Sequence, residues 1–135
     1  MSRAAKGWAL AGTGALVAAV AAACFSDRTG GITGLPQDCR DLATAAGVPA
    51  GNIVIGIKDF LFVPANVEVS RGATVTWVNC ETAPSLAHTA TADDRSWTSP
   101  FFNRGQVYSR TFTTAGTIPY HCDPHPNMVA TLVVK

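Results

Sequence analysis

Residues 117–134 read TIPYHCDPHPNMVATLVV. Two β-type runs, Thr117–Cys122 and Met128–Val134, flank a short segment that carries Cys122, His125 and Met128 at three-residue intervals. A thiolate, an imidazole and a thioether gathered at a strand end make a soft, compact ligand set. One copper ion cycling between Cu(I) and Cu(II) favours such a set: two His and one Cys in a trigonal plane, with a weak, long axial Met. The segment supplies one of the two imidazoles, so the second comes from elsewhere. The chain has three His. His121 adjoins Cys122, and strand alternation points it to the opposite face. That leaves His88, in the strand-like segment Leu86–Ala90. Pro124 and Pro126 stiffen the loop and limit ligand movement between redox states.

Outward from this stretch the chain keeps a β character. Ile53, Ile55 and Ile57 alternate with Val54, Gly56 and Lys58, which predicts a strand with one buried face. Val67 and Val69 alternate again, and Arg71-Gly72 marks a turn. Val75, Trp77 and Asn79 share one face of the next run, with Thr74, Thr76 and Val78 on the other. Further runs cover Ala87–Ala92 and Gln106–Thr113. Seven to eight short strands, punctuated by Gly, Pro and Asp-Asp, predict an all-β sandwich. Phe60, Phe62, Trp77, Phe112 and Tyr120 are assigned to its core. Residues 25–51 show no sustained period and read as a tether followed by a partly ordered lead-in, with one helical turn over Asp41–Ala46. No GxGxxG, P-loop, βα alternation or internal repeat is present.

Residues 53–135 resemble a cupredoxin of the plastocyanin/amicyanin group. The resemblance rests on Phe62-Val63-Pro64, on Gly72-Ala73-Thr74-Val75-Thr76-Trp77-Val78-Asn79, on His88-Thr89 with Asp93-Asp94, and on Thr111–Gly116 leading into Tyr120-His121-Cys122. The short CxxHxxM spacing is the amicyanin-like version. The resemblance implies a Greek-key β-sandwich with copper near one end, and single-electron transfer to soluble or membrane-bound redox proteins. Asn79 and Thr89 are the expected supporting residues around the ligands. Thr89 stands where many relatives have Asn, which alters the local hydrogen bonding. Arg110 falls on the face of Tyr108 and Phe112, where it must reach water or a partner.

The first 23 residues read as a targeting segment. Arg3 and Lys6 precede the uncharged run Gly7–Ala23, and Ala21-Ala22-Ala23 lead into Cys24. The junction resembles a lipobox with Ala21 in place of the usual Leu, which predicts a lipid on Cys24 and a location at the outer face of a membrane or in the periplasm. Ordinary cleavage and an uncleaved anchor are the other readings. The run falls short of the roughly 20 residues that span a bilayer, and all three readings export the chain. The domain plan is therefore a signal segment over 1–23, tether and lead-in over 24–51, and a copper-binding domain over 52–135. With Cys24 and Cys122 assigned, Cys39 and Cys80 remain as a pair in an oxidising compartment. They are expected to form a disulfide, the alternative being two buried thiols.

Residues 24–135 carry eight Lys/Arg and nine Asp/Glu, with no basic cluster for a nucleic acid. Partner docking is expected at an apolar surface around His125, from Pro84, Leu86, Ala87 and Pro126. Four other readings compete; one is an adhesion or accessory lipoprotein that has lost its metal, against which the intact four-residue set speaks. An exported copper carrier needs exposed, exchangeable ligands, whereas these are split between strands and held by prolines. A zinc site rarely uses Met. A copper enzyme needs further copper sites, for which no His is spare, so no enzymatic activity is expected.

Overall fold

The computed structural model describes residues 34–135. The targeting segment, Cys24 and the start of the tether lie outside the described residues. A helix α1 (Gln37–Ala45) precedes eight strands: β1 (Ile53–Lys58), β2 (Leu61–Val63), β3 (Asn66–Val69), β4 (Ala73–Asn79), β5 (Thr91–Ala92), β6 (Val107–Phe112), β7 (Gly116–Cys122) and β8 (His125–Val134). They form two four-stranded sheets, ordered β2-β1-β4-β6 and β3-β8-β7-β5. The expected all-β sandwich is the fold. Pairings β1/β4 and β3/β8 are parallel and the others antiparallel, because the chain crosses between sheets at β3. Inward residues alternate along each strand. Ile53, Ile55, Ile57, Val75 and Trp77 from one sheet meet Tyr120, Ala130, Leu132 and Val134 from the other, with Phe62, Trp97, Phe102 and Phe112 filling the core.

The lead-in departs from the expected single turn over Asp41–Ala46, for the helix starts at Gln37 behind Pro36. Leu35, Cys39, Leu42 and Ala43 recur at helical spacing, and this stripe packs on Val54, Val78 and Cys80 as a second, smaller core. Cys39 and Cys80 are bonded to each other. The helix also changes the reading of β1. Ile53 through Ile57 are all buried, because α1 covers the face that alternation assigned to solvent. Gly56 makes that approach possible: a Cβ there would lie 2.8 Å from Cys39 Sγ. Arg110 finds aromatic partners, its guanidinium carbon lying 5.6 Å from the Trp97 ring centre and 5.7 Å from that of Phe112.

Candidate metal centre

The β7–β8 ladder runs regularly to His121↔Val129 and then jumps to Cys122↔His125, a bulge that leaves Pro126, Asn127 and Met128 without cross-strand partners. An extra residue on one strand re-aims its side chains. His125 and Met128 lie an odd number of positions apart on β8, and regular pleating would send them to opposite faces. The bulge instead leaves His125 half-buried at the sandwich end, while Met128 is 2% exposed in the same apolar cluster as Cys122. His121 turns outward as expected, with Nδ1 2.6 Å from Asp93 Oδ1.

His88 lies on an isolated bridge and not in the expected strand. Its N–H donates to Phe102 O at 3.2 Å, and its carbonyl accepts from Phe102 N–H at 3.1 Å. The segment before it is braced by Asn79, whose side-chain amide donates to Leu86 O at 2.7 Å and to Phe102 O at 3.0 Å. Thr89 joins the segment that carries His88 to the one that carries Cys122. Its N–H donates to Cys122 Sγ at 3.3 Å, and its hydroxyl oxygen accepts from the Asp123 N–H at 2.8 Å. The hydroxyl thus links the segments without an Asn side chain.

These elements bring Cys122 Sγ to 3.5 Å from His88 Nδ1 and 3.7 Å from His125 Nδ1, with the two nitrogens 3.2 Å apart. The circle through a triangle with those sides has a radius of about 2.0 Å. Zinc, an ion of similar size, binds imidazole nitrogen at about 2.0–2.1 Å and thiolate at about 2.3 Å, so the three donors converge at ligand distance on one point. His88 and Cys122 are fully buried. Burial pushes the His88 imidazole below its ordinary value; His125 pushes the same way and Glu81 opposes both. Burial likewise raises the Cys122 thiol, against hydrogen bonds from the Thr89 and His125 backbones. The arrangement suits a cation that takes the place of the thiol proton.

Two residues at the site escape sequence reasoning. Glu81, 3% exposed, accepts from the Phe60 N–H at 2.8 Å through Oε1 and from the Asp59 N–H at 3.1 Å through Oε2. Its Oε1 also lies 3.4 Å from His88 Nε2, without hydrogen-bond geometry. Phe60 corrects its assignment to the core, for it is 44% exposed and stands edge-on over both imidazoles, with ring centres 5.8 Å from His88 and 4.9 Å from His125. Asp59 and Phe60 both have left-handed backbones, φ 51° and 58°, so period-two alternation fails at this turn. The adjacent Glu in Cys80-Glu81-Thr82 carries no periodic signal, and a charge in a polar run reads as solvated.

A two-sheet sandwich with one thiolate and two imidazoles converging at its end defines a cupredoxin. Residues 50–135 match the model of the copper binding proteins of the plastocyanin/azurin family, and the chain belongs to that family, in its amicyanin-like group. Amicyanin from Paracoccus denitrificans is 39% identical over 93 residues, covering 67% of this chain and 71% of the relative. Plastocyanin from Scenedesmus fuscus is 31% identical over 105 residues, 70% of this chain and 100% of the relative. The solved structure of a reduced, singly substituted amicyanin superposes with a TM-score of 0.61 at 35% identity, covering 67% of this chain and 89% of that one. The protein is a copper-based electron carrier that serves redox-protein partners.

Proposed function

We propose that His88, Cys122 and His125 form the trigonal plane of a type 1 copper site with Met128 as its axial ligand, and that the protein passes single electrons between redox partners in the cell envelope. The observation that supports this most is the buried triangle of Sγ and two Nδ1 atoms, with sides of 3.2–3.7 Å. Copper bound there supplies a one-electron couple. The residues of the chain supply rigidity: the Phe102 bridge fixes the His88 backbone, the Thr89 N–H holds the sulfur, and Asn79 braces the intervening segment. Ligands that stay in place on oxidation and reduction keep the reorganisation small.

Electrons enter and leave at the outer edge of the half-buried His125. Around it we place an apolar docking surface made of Phe60, Pro84, Leu86, Ala87 and Pro126. The leader-like residues 1–23 and the Cys39–Cys80 bond both support export to an oxidising compartment. Cys24 is proposed as the lipid attachment point, and an intact mass without an acyl-glyceryl addition would remove that anchor.

The visible spectrum of the copper-loaded, oxidised protein tests the assignment. An intense thiolate-to-copper band is expected, and it should disappear in Cys122→Ser while the far-ultraviolet circular dichroism persists. A Cys122→Ser protein that kept the band would exclude the ligand set.

A further inference from the structure

Glu81 is a buried carboxylate with no cationic side chain paired to it among the described residues. The guanidinium of Arg104 reaches only the main-chain carbonyls of Cys80 and Glu81. The acid is nonetheless fixed from two sides. Its own N–H donates to Asn79 Oδ1 at 3.0 Å, and both its oxygens accept main-chain N–H groups from the β1–β2 turn. That turn has Asp59 and Phe60 in the left-handed region, which residues with a Cβ adopt at a cost. Two charge-assisted hydrogen bonds offset the cost and set the Phe60 ring over the imidazoles.

The same carboxylate meets the ligand His88. Ligation at Nδ1 leaves the proton of a neutral imidazole on Nε2, and Nε2 is buried without a hydrogen-bond partner. Glu81 Oε1, at 3.4 Å, is the acceptor facing it.

We propose that Glu81 is a positioning residue of the electron-transfer site: one buried carboxylate holds the strained Asp59-Phe60 turn and orients His88, and its negative charge favours Cu(II) over Cu(I). The inference rests on the ligand assignment above. The couple takes one electron from a redox partner, Cu(II) becoming Cu(I), so the positive charge on the site falls by one. A nearby buried anion is weakly screened and attracts the more highly charged state more strongly. The carboxylate therefore lowers the reduction potential.

A four-protein cycle tests this: wild type, Glu81→Gln, Phe60→Gly and the double variant, each measured with and without copper. Glycine at position 60 tolerates the left-handed backbone without help. Voltammetry should show Glu81→Gln raising the Cu(I):Cu(II) ratio at fixed potential about tenfold or more, equivalent to about 59 mV for one electron. The rise should persist when Phe60 is replaced by Gly. In the copper-free protein, Glu81→Gln should move the Asp59 and Phe60 amide proton resonances upfield and speed their exchange. An unchanged or lowered potential in a coloured protein overturns the role of Glu81 alone. So does a rise that vanishes in the Phe60→Gly background, or amide resonances that stay in place. A wild-type protein without the thiolate-to-copper band overturns the ligand assignment, and the effect on the potential with it.

Discussion

Gly56→Ala should destabilise this protein, and the same substitution should stabilise it once Cys39 and Cys80 are both Ala. The reason lies in what a methyl group at position 56 would meet. Its nearest neighbours are Cys39 Sγ at 2.8 Å, Leu35 Cδ2 at 3.3 Å and Cys39 Cβ at 3.4 Å. The sulfur cannot retreat, because it is bonded to Cys80 at the end of β4, whereas the Leu35 methyl can swing aside. Forcing a methyl into a packed space costs about 1–3 kcal/mol. With the sulfur gone the clash is gone, and replacing Gly by Ala gains about 0.4–1 kcal/mol from a stiffer unfolded chain. The cysteine pair has a cost of its own. Its 41-residue separation gives about 4 kcal/mol in the chain-entropy relation. At an m-value of about 2 kcal/mol/M, that loss lowers the urea midpoint by about 2 M. Urea melts of the four copper-free proteins measure every term without stabilisation by bound ligand. Equal penalties for Gly56→Ala in the two backgrounds would show that something other than the Cys39 sulfur demands glycine here.

Two further predictions concern the metal itself. Burial keeps the Cys122 thiol above its ordinary value of 9.0, and copper needs the thiolate, so metal uptake releases the thiol proton. Affinity should then rise about tenfold per pH unit between about pH 7.5 and 9 and level off above the thiol pKa; a chelator competition that finds no pH dependence contradicts thiolate ligation. Met128→Gln brings a harder carbonyl oxygen that favours Cu(II) and should lower the potential, whereas Met128→Leu removes axial donation and should raise it. Both variants should stay coloured, and voltammetric shifts of the same sign in the two would leave Met128 as packing only.

The convergence of His88, Cys122 and His125 was legible because the chemistry of a candidate metal site is written in residue types. Cys122, His125 and Met128 are rare side chains at fixed spacing, and with His121 adjoining Cys122 on the outward face, His88 was the remaining imidazole. Alternation found the inward faces of β1 and β4 for the same kind of reason, since Ile53, Ile55, Ile57, Val75 and Trp77 repeat with period two. The helix was harder to read. Its apolar stripe counts Cys39 and Ala43 among its members, and neither residue marks a buried face by itself. Gly56 was the one local sign that something packs closely on the outer side of β1. Phe60 and Glu81 were illegible for a different reason. Their placement depends on a turn in which two residues with side chains take left-handed backbones, and the group that stabilises the turn lies more than twenty positions away.

Three consecutive residues show how the outer helix bears on the candidate metal site. Asn79, Cys80 and Glu81 follow one another at the end of β4, and all are buried. Asn79 and Glu81 turn toward the site: the first braces Leu86 and Phe102, and the second faces His88 and the Phe60 turn. Cys80 turns the other way and is tied to α1. A strand end with one face unsupported frays readily, because its last residues lack packing on that side. Here the helix and its disulfide supply the missing layer at the point where the chain leaves β4 for His88. The clasp on the far face of the sheet thus restrains the backbone from which Glu81 faces His88 and Asn79 holds the Leu86 and Phe102 carbonyls on either side of it.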